Sequence, residues 1–124
     1  MALDRQKFGR AVQARFLLDA QEKGLEVLTP FDSLPGYDYV VDTGKKLLRV
    51  QVKGVHLGGR NRRWYTVNFR RRAKTGPKIF DICAVWMADV QRWAFMPAYV
   101  GTKRIVRLTS DGKYSRTGWD VFYK

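Results

Sequence analysis

The sequence predicts an α+β domain, an N-terminal helix packed on a mixed, largely antiparallel sheet. Three observations carry that expectation. Apolar residues recur at helical spacing only within the first 23 positions. From Tyr37 onward the pattern switches to period-two alternation. Glycine and proline then cut the rest of the chain into segments of strand length. With 124 residues, 45% of them hydrophobic, the chain suits one domain spanning 1–124 with a substantial core.

Taken in order, Asp4 can cap a first helix. Phe8, Ala11, Val12, Phe16 and Leu18 or Asp19 follow at helical spacing, and Gly24 stops it. Leu25 to Thr29 is a short strand closed by Pro30, and a loop runs to Gly36. Tyr37 to Asp42 and Leu47 to Val55 are two strands of a hairpin turning at Thr43-Gly44. Leu48, Val50 and Val52 occupy one face of the second strand, and Arg49, Gln51 and Lys53 the other. Trp64 to Phe69 is expected as a third strand of the meander. Ile79 to Met87 is an apolar run that reads as the most buried strand, pairing with Gln91 to Met96 across a turn at Asp89. Arg104 to Thr109 is a last strand, and Trp119 to Tyr123 a terminal turn or short helix.

Charge narrows the function. Twenty-four Lys and Arg against eleven Asp and Glu leave +13, which repels the folded chain from itself and suits a polyanionic partner. A single cysteine, Cys83, excludes an internal disulfide framework and a cysteine zinc cluster, and reads as a core thiol. A single histidine, His56, excludes histidine-rich metal sites. No signal peptide opens the sequence, and no run approaches the roughly 20 apolar residues of a membrane span. The expectation is a cytoplasmic, nucleoid-associated protein without a membrane partner.

The hairpin holds the chemistry-bearing residues. Asp38 lies on its first strand, and period two places Gln51 and Lys53 on one face of its second. A carboxylate, an amide oxygen and an ammonium converging at one spot suit metal-assisted attack on a phosphodiester. On spacing alone, Gln51 and Lys53 read first as the solvated face of an amphipathic strand, because Gln-x-Lys alternation is common in any sheet.

The order helix, strand, Pro35-Gly36-Tyr37-Asp38, twelve residues, then Gln51-Val52-Lys53 resembles the PD-(D/E)XK nuclease superfamily. The branch it looks like carries Gln-x-Lys and includes relatives of group I intron-encoded homing endonucleases. Its core is similar to that of archaeal Holliday-junction resolvases. Phe80-Asp81-Ile82-Cys83-Ala84-Val85 and Trp93-Ala94-Phe95-Met96-Pro97 resemble two further strands of the family. The resemblance implies an α/β/α restriction-endonuclease-like core and an endonuclease acting with Mg²⁺ or Mn²⁺. It implies Asp38, Gln51 and the Val52 carbonyl as metal ligands, with Lys53 as the active-site lysine. Gln13 stands on the first helix where related nucleases carry a glutamate, and Asp19 and Glu22 lie further along.

Between Asp42 and Asp81 there are twelve Lys and Arg and no acid. Arg60, Arg62 and Arg63 precede the Trp64 strand, and Arg70, Arg71, Arg72, Lys74 and Lys78 follow it. Together with Trp64 these residues are the expected nucleic-acid contacts, arginine forks for phosphate and a ring for stacking. Tyr65 is a second stacking candidate. The expected partner is DNA, duplex or branched, met by a homodimer or higher homo-oligomer. A non-cutting nucleic-acid-binding domain and a basic RNA-binding protein suit the charge equally.

Overall fold

The structure, a computed structural model, describes residues 4–32, 36–57, 64–69, 80–98 and 105–123. Helix α1 (Arg5–Glu22) begins where the Asp4 carboxylate accepts the Lys7 N–H at 2.9 Å. Such a cap contributes about 1 kcal/mol. The helix ends at Gly24, whose φ of +83° suits glycine. It buries Val12, Phe16 and Ala20, with Phe8 half-buried. Ala11 and Leu18, expected on the same face, are instead exposed, because the buried stripe follows the spacing 12, 16, 20.

A five-stranded sheet lies beneath the helix, in the order β1–β2–β3–β5–β6. Its strands are β1 (Glu26–Leu28), β2 (Tyr39–Asp42), β3 (Leu47–Val55), β5 (Ile82–Met87) and β6 (Arg92–Pro97). The pair β3–β5 is parallel and the other three pairs are antiparallel. The register sets Gln51 against Cys83 and Lys53 against Val85. Parallel neighbours need a long crossover. The chain between β3 and β5 supplies it and carries β4 (Tyr65–Asn68).

That strand departs from expectation. It does not extend the meander but pairs with β7 (Ile105–Leu108) in a separate two-stranded ribbon. Its alternation is nevertheless as read, with Tyr65 and Val67 buried and Thr66 and Asn68 exposed. Period two reports which residues face a core, not which strand lies alongside. A short helix, α2 (Lys113–Arg116), and a terminal 3₁₀ helix (Gly118–Tyr123) complete the chain. The former had no counterpart in the sequence reading.

Two cores result, one on each face of the sheet. The first joins α1 to Val41, Val50, Val52, Trp93, Phe95 and the 3₁₀ helix. The ring of Phe16, fully buried, meets Tyr39, Trp93, Trp119 and Phe122 at 5.6–6.3 Å. Each such pair adds about 0.5–1.5 kcal/mol beyond simple burial. The second core packs the ribbon's Tyr65, Val67, Phe69 and Leu108 against Cys83, Val85, Met87, Ala94 and Met96. Strand β5 is thus covered on both sides, which is why its sequence is an unbroken apolar run.

Candidate active site

Asp38 sits immediately before β2 rather than within it. Its N–H donates to the Val50 carbonyl at 2.8 Å, although Tyr39 is the ladder partner of Val50. Two residues opposite one is the arrangement of a β-bulge, which turns a side chain away from regular alternation. The turned carboxylate reaches the next free group on β3, accepting the Val52 N–H at Oδ2 over 2.7 Å. Asp38 therefore brackets Gln51, bonding the residues on either side of it. A strand residue's N–H and C=O leave on the same side. The Val52 carbonyl accordingly opens toward Asp38 as well.

Helix α1 approaches from the other direction. Gln13 Nε2 donates to Asp38 Oδ1 at 3.3 Å, and the Tyr39 hydroxyl donates to the Gln13 carbonyl at 3.2 Å. The close approach of helix to sheet depends on Gly54. A Cβ there would lie 2.6–2.8 Å from Phe8 and Val12 side-chain atoms.

Gln51 and Lys53 share the opposite face of β3, as period two requires. The Gln51 Oε1 atom is buried and has no hydrogen-bond partner among the described residues. The Lys53 ammonium lies 5.3 Å from the centroid of the Phe69 ring, which the ribbon places there. Burial holds the Asp38 carboxyl above its ordinary range, against the lowering effects of the Val52 N–H and the Lys53 ammonium. The Cys83 thiol, opposite Gln51, is pushed up to about 12, chiefly by burial. It is an inert core group, as expected.

These residues fit a divalent cation of the hard, oxygen-seeking kind. A desolvated carboxylate raised above its usual pKa favours a positive neighbour, and an orphaned amide oxygen lacks a partner that a cation would supply. All eleven acids fall within the described residues, and no three His, Cys, Asp or Glu converge. Asp19 does not stand in as a second acidic ligand, since it accepts the Trp93 indole N–H at 2.8 Å on the helix's last turns. Glu22 is exposed. One carboxylate is within the norm for Mg²⁺, which commonly completes its shell with water and substrate phosphate.

Of the expected nucleic-acid contacts, Arg60, Arg62, Arg63, Arg70, Arg71, Arg72, Lys74 and Lys78 lie outside the described residues. Trp64 is half-buried, with the Arg107 guanidinium 4.7 Å above its ring. Tyr65 is 1% exposed in the second core, so it does not serve for stacking. Arg49, one of the twelve cations, is engaged by Asp81 through its Nε at 3.3 Å and its backbone N–H at 2.7 Å. That bond clamps the start of β5 to β3, and nothing in the sequence marked it. No described helix is long and apolar enough to cross a membrane.

Comparison with known proteins identifies the family and the fold. The sequence profile of a family described as PD-(D/E)XK endonuclease matches residues 3–116. A search of curated proteins finds no match. Among solved structures, the bacterial homing endonuclease I-Ssp6803I superposes with a TM-score of 0.72 at 25% identity. The match covers 94% of this chain and 82% of that one. Hjc, a Holliday junction resolvase from the archaeon Archaeoglobus fulgidus, superposes with a TM-score of 0.55 at 14% identity, over 82% and 83% of the two chains. The second likeness is one of fold.

Proposed function

Because the chain belongs to the PD-(D/E)XK endonuclease family, we propose that it is a divalent-metal-dependent DNA endonuclease with its centre at Asp38, Gln51 and Lys53. The observation that carries this reading is the orphaned Gln51 Oε1, bracketed by the two bonds of Asp38. A buried acceptor without a partner costs about 1–3 kcal/mol. An amphipathic strand's solvated face would carry no such cost, so the atom's position argues for a ligand role.

The Asp38 carboxylate, the Gln51 amide oxygen and the Val52 carbonyl would hold Mg²⁺ or Mn²⁺. When bound, the cation supplies Lewis-acid charge at the phosphate and makes the attacking water more acidic. The chain's own groups do the rest. Gln13 holds the Asp38 carboxylate in its orientation through Oδ1. Lys53 presents its ammonium to the phosphate oxygens, where negative charge grows as the water oxygen attacks phosphorus and the leaving oxygen departs. The Phe69 ring beside Lys53 accommodates the ammonium without neutralising it. The surplus of +13 draws DNA to the site, placing the protein with the nucleoid. Cutting both strands takes two such centres, so the active form is a homodimer or higher oligomer.

The test is incubation with supercoiled plasmid and Mg²⁺ or Mn²⁺, beside Asp38→Ala and Lys53→Ala. Nicking that requires the metal and both side chains is the expected outcome. A salt-sensitive mobility shift with no nicking would favour the non-cutting domain, a reading that Gln13 in place of a carboxylate supports. Cleavage unchanged in Asp38→Ala would overturn the assignment of the centre.

A further inference from the structure

A cleft of about 250 Å³ lies at the end of the ribbon remote from Lys53, between β7 and α2. Leu108 and the rings of Trp64 and Tyr114 line it, so its walls are mainly apolar. Two cations stand at these rings: the Arg107 guanidinium 4.7 Å from the Trp64 centroid, and the Lys113 ammonium 5.0 Å from that of Tyr114. No carboxylate lines the cleft among the described residues; Asp111 lies beside it, exposed in the turn between Thr109 and Gly112 of its wall. Its size suits one planar heterocycle and not a drug-sized ligand, since pockets for the latter run from about 300 to 1,000 Å³.

The cleft is tied to the centre by the ribbon itself. Phe69, at one end of β4, touches the Lys53 ammonium, and Trp64 lies five residues earlier on the same chain segment. At about 3.3 Å per strand residue, that separation is about 17 Å. Duplex DNA advances 3.4 Å per nucleotide along each strand, so the distance spans roughly five nucleotides.

We propose that this cleft takes an unpaired nucleotide of the DNA substrate, about five positions from the phosphate at Lys53. The base stacks on Trp64 or Tyr114, and its flanking phosphates meet Arg107 and Lys113. A base within a duplex has both faces covered by its neighbours and cannot enter. The site therefore selects substrates with a bulged, flipped or single-stranded nucleotide. The inference rests on the DNA-binding reading above and extends it to a substrate class.

The full-length protein is titrated, in EDTA so that nothing is cut, into two duplexes of equal length. One is fully paired and the other carries a single unpaired 2-aminopurine. Tighter binding of the second, on the order of tenfold for stacking one base, with quenched 2-aminopurine fluorescence, is expected. Trp64→Ala and the exposed-site variant Arg107→Gln weaken binding of the duplex with the unpaired base more than that of the paired one, so the preference is lost. Trp64→Phe retains part of it. Equal affinity of the unmodified protein for both duplexes overturns the proposal while leaving DNA binding intact. So does a preference that survives both Trp64→Ala and Arg107→Gln. Binding to neither duplex overturns it together with the DNA reading.

Discussion

The Gln13 side-chain amide donates to Asp38 Oδ1 at 3.3 Å, joining the middle of α1 to the bulge before β2 across 25 residues of sequence. An amide thus occupies the spot from which a second carboxylate would reach the same cation. Gln13→Glu should tighten Mn²⁺ binding by roughly tenfold at neutral pH, because a second anion joins the shell. Titration calorimetry in the absence of DNA reads this directly. An unchanged affinity would place Gln13 outside the metal's reach.

Gln51 presents the opposite trade. Its buried, unpartnered Oε1 costs the metal-free fold about 1–3 kcal/mol. Gln51→Met, of similar length and without the polar atom, should leave the metal-free protein as stable or more so, by up to about 1–2 kcal/mol. It should abolish metal-dependent cleavage. Urea denaturation in EDTA alongside the plasmid assay tests both halves. A loss of more than about 1 kcal/mol would mean that Oε1 has a partner in solution.

The raised pKa of Asp38 makes a statement about pH. A carboxyl whose pKa is higher folded than unfolded holds its proton more tightly in the folded state. As pH rises from the unfolded value of 3.8 through the higher folded one, the unfolded chain ionises first and stability falls. Asp38→Asn removes that loss, and the Asn oxygen can still accept the Val52 N–H. With the Gln13 amide turned so that its oxygen accepts from the Asn nitrogen, the variant should therefore melt higher than the parent at pH 7 in EDTA. The gap should close as the pH drops below 4. A melting point lower than the parent's at pH 7 would contradict the burial cost assigned to this carboxylate.

Gly54 governs how closely α1 approaches the sheet. Gly54→Ala places a methyl group 2.7 Å from Val12 Cγ2, a stiff and buried neighbour, and 2.6 Å from the Phe8 ring. The helix must move, at a cost of about 1–3 kcal/mol. Since Gln13 follows Val12, its bond to Asp38 should lengthen as well. The expected outcome is a lower melting temperature and faster hydrogen exchange of the Val52 amide. A fully stable Gly54→Ala would show that the Phe8 and Val12 side chains can yield in place.

The second strand of the hairpin was legible residue by residue because its signals are local. Leu47 to Val55 has the bounds its alternation indicated, and that alternation alone puts Gln51 and Lys53 on one face. The helix, its Asp4 cap and its Gly24 stop are likewise matters of 3.6-residue spacing and backbone conformation. What alternation could not report was the neighbour. Trp64 to Phe69 reads as a strand of the meander, yet its buried face is satisfied equally by a ribbon across the sheet.

The sequence by itself determined an α+β chain, its excess of positive charge, and the placing of Gln51 and Lys53 on one face of β3. Each follows from composition or from periods of two and 3.6 residues. Only the tertiary structure decided that Asp38 leaves the strand in a bulge, that Gln13 meets it, that Gln51 Oε1 is left without a partner among the described residues, and that Phe69 lies beside Lys53. It also decided that Tyr65 is core while Trp64 borders a cleft. The physical reason is range. Strand and helix periods act between residues a few positions apart, whereas desolvation, orphaned donors and acceptors, and ring contacts depend on which distant segments the crossover brings together.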